Sequence, residues 1–226
     1  MVMKEDNGST NKFFSSFPLR KYLKKEIIIN AGESVEAVFF LHSGVARSYY
    51  VDENGSELTI NLFKPLSVFP LTSVIAGKNN SYDFQAFTDI EVNIIPARDA
   101  LRFLDKDRKF RDMMLQKFAS GLEGYLIRSF FLIKGNAMQK VASTLLMLVK
   151  RFGGKMNRDI IDLPLTHQDI ADISGTTRET ASIQIEKLEK DGAIMRKGRY
   201  IIVRDYKKLN ERATVGEESN LFNLSF

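Results

Sequence analysis

The apolar positions change period along the chain. From Glu26 to Ile95 they fall in short β-rich runs: Glu26–Asn30, Ala37–His42, Ala46–Val51, Glu57–Phe63, Tyr82–Phe87 and Glu91–Ile95. Turn residues separate them: Ala31-Gly32-Glu33, Ser43-Gly44, Asp52-Glu53-Asn54-Gly55 and the stretch from Gly77 to Ser81. Asn54-Gly55 between two such runs predicts a hairpin, because both residues tolerate positive φ. Many short strands at this spacing predict a sandwich or jelly-roll barrel.

After Pro96 the period becomes helical. A short helix is predicted over Ala97–Leu104 and a long one over about Lys109 to Ile133. Phe110, Met114, Phe118, Leu122, Leu126 and Phe130 recur every fourth residue, and Met113, Leu115, Tyr125, Phe131 and Leu132 widen the stripe. A helix of about 25 residues spans about 40 Å. The stripe is too wide for one neighbour, so one flank is expected on the barrel and the other on a second copy of the chain. Met114, Phe118, Leu122, Tyr125 and Leu126 are the expected dimer contacts; the alternative is a helix lying wholly on its own domain. Gly135 breaks this helix, and Asn136 can cap the next, Ala137 to Arg151, which Gly153-Gly154 stops.

Two further short helices follow. Thr166 is placed to cap the first, with Asp169 favourable at its start and Ile170, Ala171 and Ile173 as its apolar face. Ser174-Gly175 supplies a turn. Thr177 caps the second helix, in which Ala181, Ile185 and Leu188 face inward, and Asp191-Gly192 closes it. Ile194–Lys197, Gly198 and Arg199–Val203 form a hairpin with a basic tip. This is the winged helix-turn-helix pattern. Its second helix is slim enough for the major groove of DNA, where base edges present distinguishable donors and acceptors. Arg178, Glu179 and Ser182 are expected to contact bases. Thr166, Gln168, Thr177, Thr180, Lys197 and Arg199 suit phosphate contacts.

Charge strengthens that reading. The formal net charge is +5, with 33 Lys+Arg against 28 Asp+Glu. Residues 135–209 hold 14 basic and 9 acidic side chains, residues 1–134 hold 18 and 16, and residues 210–226 hold 1 and 3. The whole excess lies in the predicted helix-turn-helix segment, which points to an anionic partner. The expected organisation is a polar, disordered N-terminus (1–12), a barrel (13–108), a dimerisation helix (109–134), the winged helix-turn-helix domain (135–209) and a tail (210–226). No leader-like or membrane-length apolar run is present in the sequence, so a cytoplasmic protein is expected.

Gly175-Thr176-Thr177-Arg178-Glu179-Thr180 resembles the recognition-helix signature of the Crp/Fnr transcription regulators, G-x-S/T-R-E-T. The resemblance extends over nearly the whole chain. Ile27–Glu33 resembles the family's early strand and glycine turn, Val38–Arg47 its strand pair around Gly44, and Asn54-Gly55-Ser56-Glu57 its hairpin. It implies an α+β architecture: a cyclic-nucleotide-binding-like jelly-roll sensor, a long dimerisation helix and a C-terminal winged helix-turn-helix. It also implies a homodimer on a palindromic double-stranded DNA operator, base contacts by Arg178 and Glu179, and activation, with RNA polymerase as a further partner. The family often carries another Arg four residues after the Glu. Ile183 stands there, so one base contact is missing or replaced, with Ser182 and Gln184 as candidate substitutes.

The sensor half departs from the family's cyclic-nucleotide binders. Leu71 stands where a ribose-binding Glu is needed and Asn80 where an Arg would neutralise the cyclic phosphate. A buried phosphodiester without a cation is costly, so cyclic AMP is not the expected effector. Zero Cys removes a thiolate-bound iron–sulfur cluster, and a solitary barrel histidine, His42, is a poor basis for haem or for a cupin-type metal enzyme. No cofactor or metal is expected. A small effector in a pocket lined by Phe69, Leu71, Asn80, Tyr82 and Tyr125, with Phe84 and Phe87, or a pocket filled by its own side chains, both fit the sequence. An interaction protein that has lost DNA binding is the remaining alternative, and Arg178, Glu179 and the basic wing argue against it.

Overall fold

The computed structural model describes residues 8–154 and 159–214. They fall into two compact units, residues 1–117 and 118–226.

In the first unit the chain runs α1 (Gly8–Ser15), β1 (Leu19–Tyr22), β2 (Ile27–Ile29), β3 (Ala37–Ser43), β4 (Ala46–Val51), β5 (Glu57–Phe63) and β6 (Val68–Phe69). It continues through α2 (Leu71–Ala76), β7 (Asp83–Ala86), β8 (Ile90–Pro96), α3 (Ala97–Lys106) and the start of α4 (Arg108–Lys134). The eight strands form two antiparallel sheets, ordered β1-β8-β3-β6 and β2-β7-β4-β5. That is the jelly-roll arrangement expected from the short alternating runs.

Alternate residues of both sheets point inward and pack as one core: Tyr22, Ile29, Phe39, Leu41, Phe69, Phe84, Ile90 and Val92. Gly44 sits at positive φ in the β3–β4 turn, and a Cβ there would lie 2.1 Å from the carbonyl oxygen of Asp89. Only glycine fits both the conformation and the space.

Four elements here were not expected from the sequence. The N-terminal segment, read as disordered to residue 12, is helical from Gly8, while residues 1–7 lie outside the described residues. Phe14 of this helix is fully buried, stacked on Phe40 at 5.0 Å and tilted against Phe110 at 5.4 Å. Phe13 stacks on Phe103 at 4.0 Å. Strands β1 and β6 and helix α2 are the other three.

The second unit begins within α4 and adds α5 (Ala137–Phe152), β9 (Ile160–Ile161), α6 (His167–Ser174), α7 (Arg178–Lys190), β10 (Ile194–Lys197), β11 (Tyr200–Val203) and α8 (Tyr206–Ala213). Gly135 ends α4. Its N–H donates to Phe131 O at 2.9 Å, and a Cβ there would meet that same oxygen at 2.6 Å. Asn136 then caps α5 with a full capping box, accepting from Gln139 N–H while the Gln139 side chain accepts from Asn136 N–H. The buried face of α5 carries Val141, Leu145, Leu148 and Val149. Helix α8 packs back through Leu209 and Ala213, so the expected tail is helical over its first residues; residues 215–226 lie outside the described residues.

Candidate nucleic-acid interface

Helix α6 starts at Thr166, whose Oγ1 accepts from Asp169 N–H at 3.1 Å and donates to Asp169 Oδ2 at 2.7 Å. Asp169 in turn accepts from Thr166 N–H. The helix ends at Gly175, in the left-handed region, where its N–H donates to Ala171 O. Two residues later Thr177 caps α7 by accepting from Thr180 N–H at 3.2 Å, and its hydroxyl donates to Thr180 Oγ1 at 3.0 Å. A cap at each start and a glycine between them make two helices of eight and thirteen residues joined by a tight turn.

The inward face of α7 is Ala181, Gln184, Ile185 and Leu188, all buried. Its outward face is Arg178, Glu179, Ser182, Ile183 and Glu186, of which Ser182 alone is half-buried. Gln184 therefore points away from the outward face. Of the two candidate substitutes for the missing base contact, Gln184 sits on the same side of the helix as Ile185 and Leu188, and Ser182 is on the outward face. Neither Arg178 nor Glu179 makes an ion pair among the described residues. Both stand on the first turn of α7, exposed to solvent.

The wing is a three-stranded sheet, β10-β11-β9. Arg196 fastens it to α7: its Nε donates to Glu189 Oε2 at 2.7 Å, its backbone N–H to Glu189 Oε1 at 2.9 Å, and its Nη1 to His167 Nε2 at 3.0 Å. Arg196, which the sequence did not single out, thus has a structural role. The tip residues Lys197 and Arg199 are exposed. Of the other candidate phosphate contacts, Gln168 is exposed but donates to Asp172 Oδ1 at 2.6 Å, and Thr166, Thr177 and Thr180 serve the caps.

A half-buried cation lies behind the turn. Arg128, on the part of α4 within this unit, donates from Nη2 to Ile173 O at 2.7 Å. Burial pulls its pKa down to about 10, which leaves it protonated at neutral pH. Ile173 is the penultimate residue of α6, so this bond reaches the carbonyl end of the helix just before the turn. The sequence carries no pattern that singles Arg128 out.

The candidate dimer contacts divide. Met114 is buried within its own chain, at 6% exposure, so this residue of the stripe is already covered. Phe118 is half-buried. Leu122 (61% exposed), Leu126 (59%) and Tyr125 stay open, together with Phe130 and Ile133.

The candidate effector residues are divided between the two units. Phe69 stacks on Phe84 with centroids 5.3 Å apart and rings 4° from parallel, and Phe39 and Phe63 flank the pair. Phe87 is also buried. Phe39, Phe69 and Phe84 belong to the barrel core, with Phe63 packed against it. Leu71 is buried; Tyr82 is exposed on the same unit, and Tyr125 belongs to the second unit. Asn80 is buried, and its Nδ2 already donates to Tyr82 O. Its Oδ1 has no hydrogen-bond partner, and an acceptor offers nothing to an anionic phosphate. The residues at these positions do not fit a cyclic nucleotide. His42 hydrogen-bonds Asn93 Oδ1 and packs edge-on against Phe40, so its half-buried imidazole is already engaged on the face of β3 opposite the barrel core. Among the described residues no cluster of His, Asp or Glu could hold a metal, and no helix is long and apolar enough to cross a membrane.

The comparisons with known proteins agree with this geometry. Residues 19–107 match the model of the cyclic nucleotide-binding domain, and residues 139–212 that of the Crp-like helix-turn-helix domain. The chain is similar to the global nitrogen regulator of Nostoc sp., 29% identical over 80% of this chain and 86% of that protein. It is also similar to the transcriptional activator protein FnrL of Cereibacter sphaeroides, 28% identical over 89% and 82%. In fold it matches the structure of FixK2 from Bradyrhizobium japonicum, with a TM-score of 0.78 over 88% of this chain and 98% of that one, at 24% identity. These relatives regulate transcription and are not enzymes. With a jelly-roll unit, a long connecting helix and a capped helix-turn-helix bearing an open Arg-Glu pair, the chain belongs to the Crp/Fnr family of DNA-binding transcription regulators.

Proposed function

We propose that the chain acts as a cytoplasmic homodimer that reads a palindromic operator in double-stranded DNA. Helix α7 of each subunit lies in the major groove, with half-sites about one helical turn apart. Arg178 offers two donors to a guanine, Glu179 accepts from a cytosine amino group, and Ser182 supplies a third polar contact. Lys197 and Arg199 hold phosphates, and Thr177, Thr180, Thr166 and Gln168 lie near enough to the helix starts to add weaker ones. The observation that carries this reading is the exposure of Arg178 and Glu179 on the first turn of a doubly capped helix, with no intramolecular ion pair for either.

The second copy is inferred from the open stripe Leu122, Tyr125, Leu126, Phe130 and Ile133. An apolar band of that kind on one helix is what a paired helix covers. The filled barrel supports a regulator that needs no cyclic nucleotide. Contact with RNA polymerase would follow from binding beside a promoter.

Selection of operators from a random DNA pool with the full chain tests the proposal. One palindromic sequence should be enriched, and Arg178→Ala should weaken binding to it by about 100-fold while leaving the dimer intact. Enrichment of no sequence, or equal affinity of the variant, overturns the assignment of α7.

A further inference from the structure

The outward face of α7 carries one feature that the Arg-Glu pair does not account for. Ile183 is 50% exposed, and it is the large apolar side chain on a face otherwise made of Arg178, Glu179, Ser182 and Glu186. It follows Glu179 by four residues, so the two lie on the same side of the helix, about 6 Å apart along its axis. Glu186 follows three residues later on that side.

Those two carboxylates fix what the face can lie against. A stripe with Glu179 on one side of Ile183 and Glu186 on the other is repelled by phosphates and suits base edges, whose amino groups donate to carboxylates. Ile183 is thereby held toward the floor of the groove rather than its walls. Its side chain can neither donate nor accept a hydrogen bond. Opposite a base edge that displays only donors and acceptors, it would strip water from them and return nothing. The one apolar group displayed in the major groove is the 5-methyl of thymine. Ile183 is β-branched, so its methyl groups are fixed by few rotamers and lose little freedom on contact.

We propose that Ile183 reads a thymine 5-methyl group in each half-site, one helical turn along α7 from the base read by Glu179. This rests on the assignment of α7 as the recognition helix. The operator is therefore expected to require an A·T pair, with thymine on a defined strand, beside the position contacted by Glu179.

The test uses the selected operator and the full chain. Each thymine of one half-site is replaced in turn by deoxyuridine, which removes the methyl group and keeps every hydrogen-bonding atom. At one position the affinity should fall about fourfold, the weight of one buried methyl group. Ile183→Ala should bind the thymine and uracil forms of that position equally, while its dimer and its salt dependence stay those of the unsubstituted chain. Indifference to uracil at every position overturns the Ile183 assignment, and so does discrimination that survives Ile183→Ala. In both cases loss of binding by Arg178→Ala would show that α7 still reads the DNA. If Arg178→Ala binds as well as the unsubstituted chain, or no operator is enriched, the recognition-helix reading and this inference fall together.

Discussion

The barrel and the helix-turn-helix unit treat their polar side chains in opposite ways. In the barrel, Arg47 is buried, donates from Nε to Gln85 and is paired through Nη2 with Glu57; Asn80 is turned onto the backbone of Tyr82. Four phenyl rings occupy the middle of the barrel core. In the other unit the inward faces are closed just as tightly, with Ala181, Ile185 and Leu188 fully buried, but Arg178, Glu179, Lys197 and Arg199 are left facing solvent. A protein surface that keeps a guanidinium and a carboxylate on adjacent positions of a helix, unpaired, is organised for a partner. A barrel whose cation is already neutralised is organised around itself. The chain thus joins an open helix face to a barrel whose polar groups are largely satisfied within it.

That contrast can be broken from the barrel side. Phe69→Ala should open a void in the aromatic stack and cost about 3–5 kcal/mol of stability, read by denaturant unfolding. A loss under 1 kcal/mol would mean the core is looser than its packing indicates. Leu122→Asp combined with Leu126→Asp places charge in the open stripe. The dimer should dissociate by at least about 100-fold on sedimentation, at unchanged helix content; an unaltered dimer would move the interface elsewhere. Lys197→Ala bears on the output face. It should weaken binding uniformly across DNA sequences and lower the salt slope by roughly one per subunit. A change in sequence preference instead would make Lys197 a base reader. The smallest effect sharpens the contrast most: millimolar cyclic AMP should leave both the unfolding temperature and the operator affinity unchanged. A measurable rise in either would show that the barrel admits a nucleotide despite Leu71 and Asn80.

Much of this organisation was legible before the fold. Turn residues such as Asn54-Gly55 and Ser43-Gly44 bound the strands they were expected to bound, and the caps at Asn136, Thr166 and Thr177 form as read. Capping is local chemistry, written within four residues. What escaped was tertiary. Strand β1, Leu19-Arg20-Lys21-Tyr22, buries only Tyr22, so it has no alternation to detect. Strand β9 is two residues long. Helix α1 is polar in composition and is held by the contacts of Phe13 and Phe14 with rings far along the chain. The stripe on α4 was visible as a period of four, but a period names no neighbour: Phe110 and Met114 are covered by their own chain while Leu122 and Leu126 are not. Gln184 and Ser182 are two residues apart, and only the observed phase of α7 separates the buried one from the outward one.

Arg128 has a consequence for how the operator is measured out. It ties α4 to the carbonyl end of α6 within a single compact unit, and that unit also carries the open stripe from Leu122 to Ile133 and α7, the proposed reading helix. The proposed pairing surface and the proposed reading surface are therefore parts of one caliper, with the guanidinium as a rivet at its joint. On that reading the distance between half-sites is built into the second unit. Exchanging the barrel for another would alter when the protein binds and leave the number of base pairs between its two grips the same.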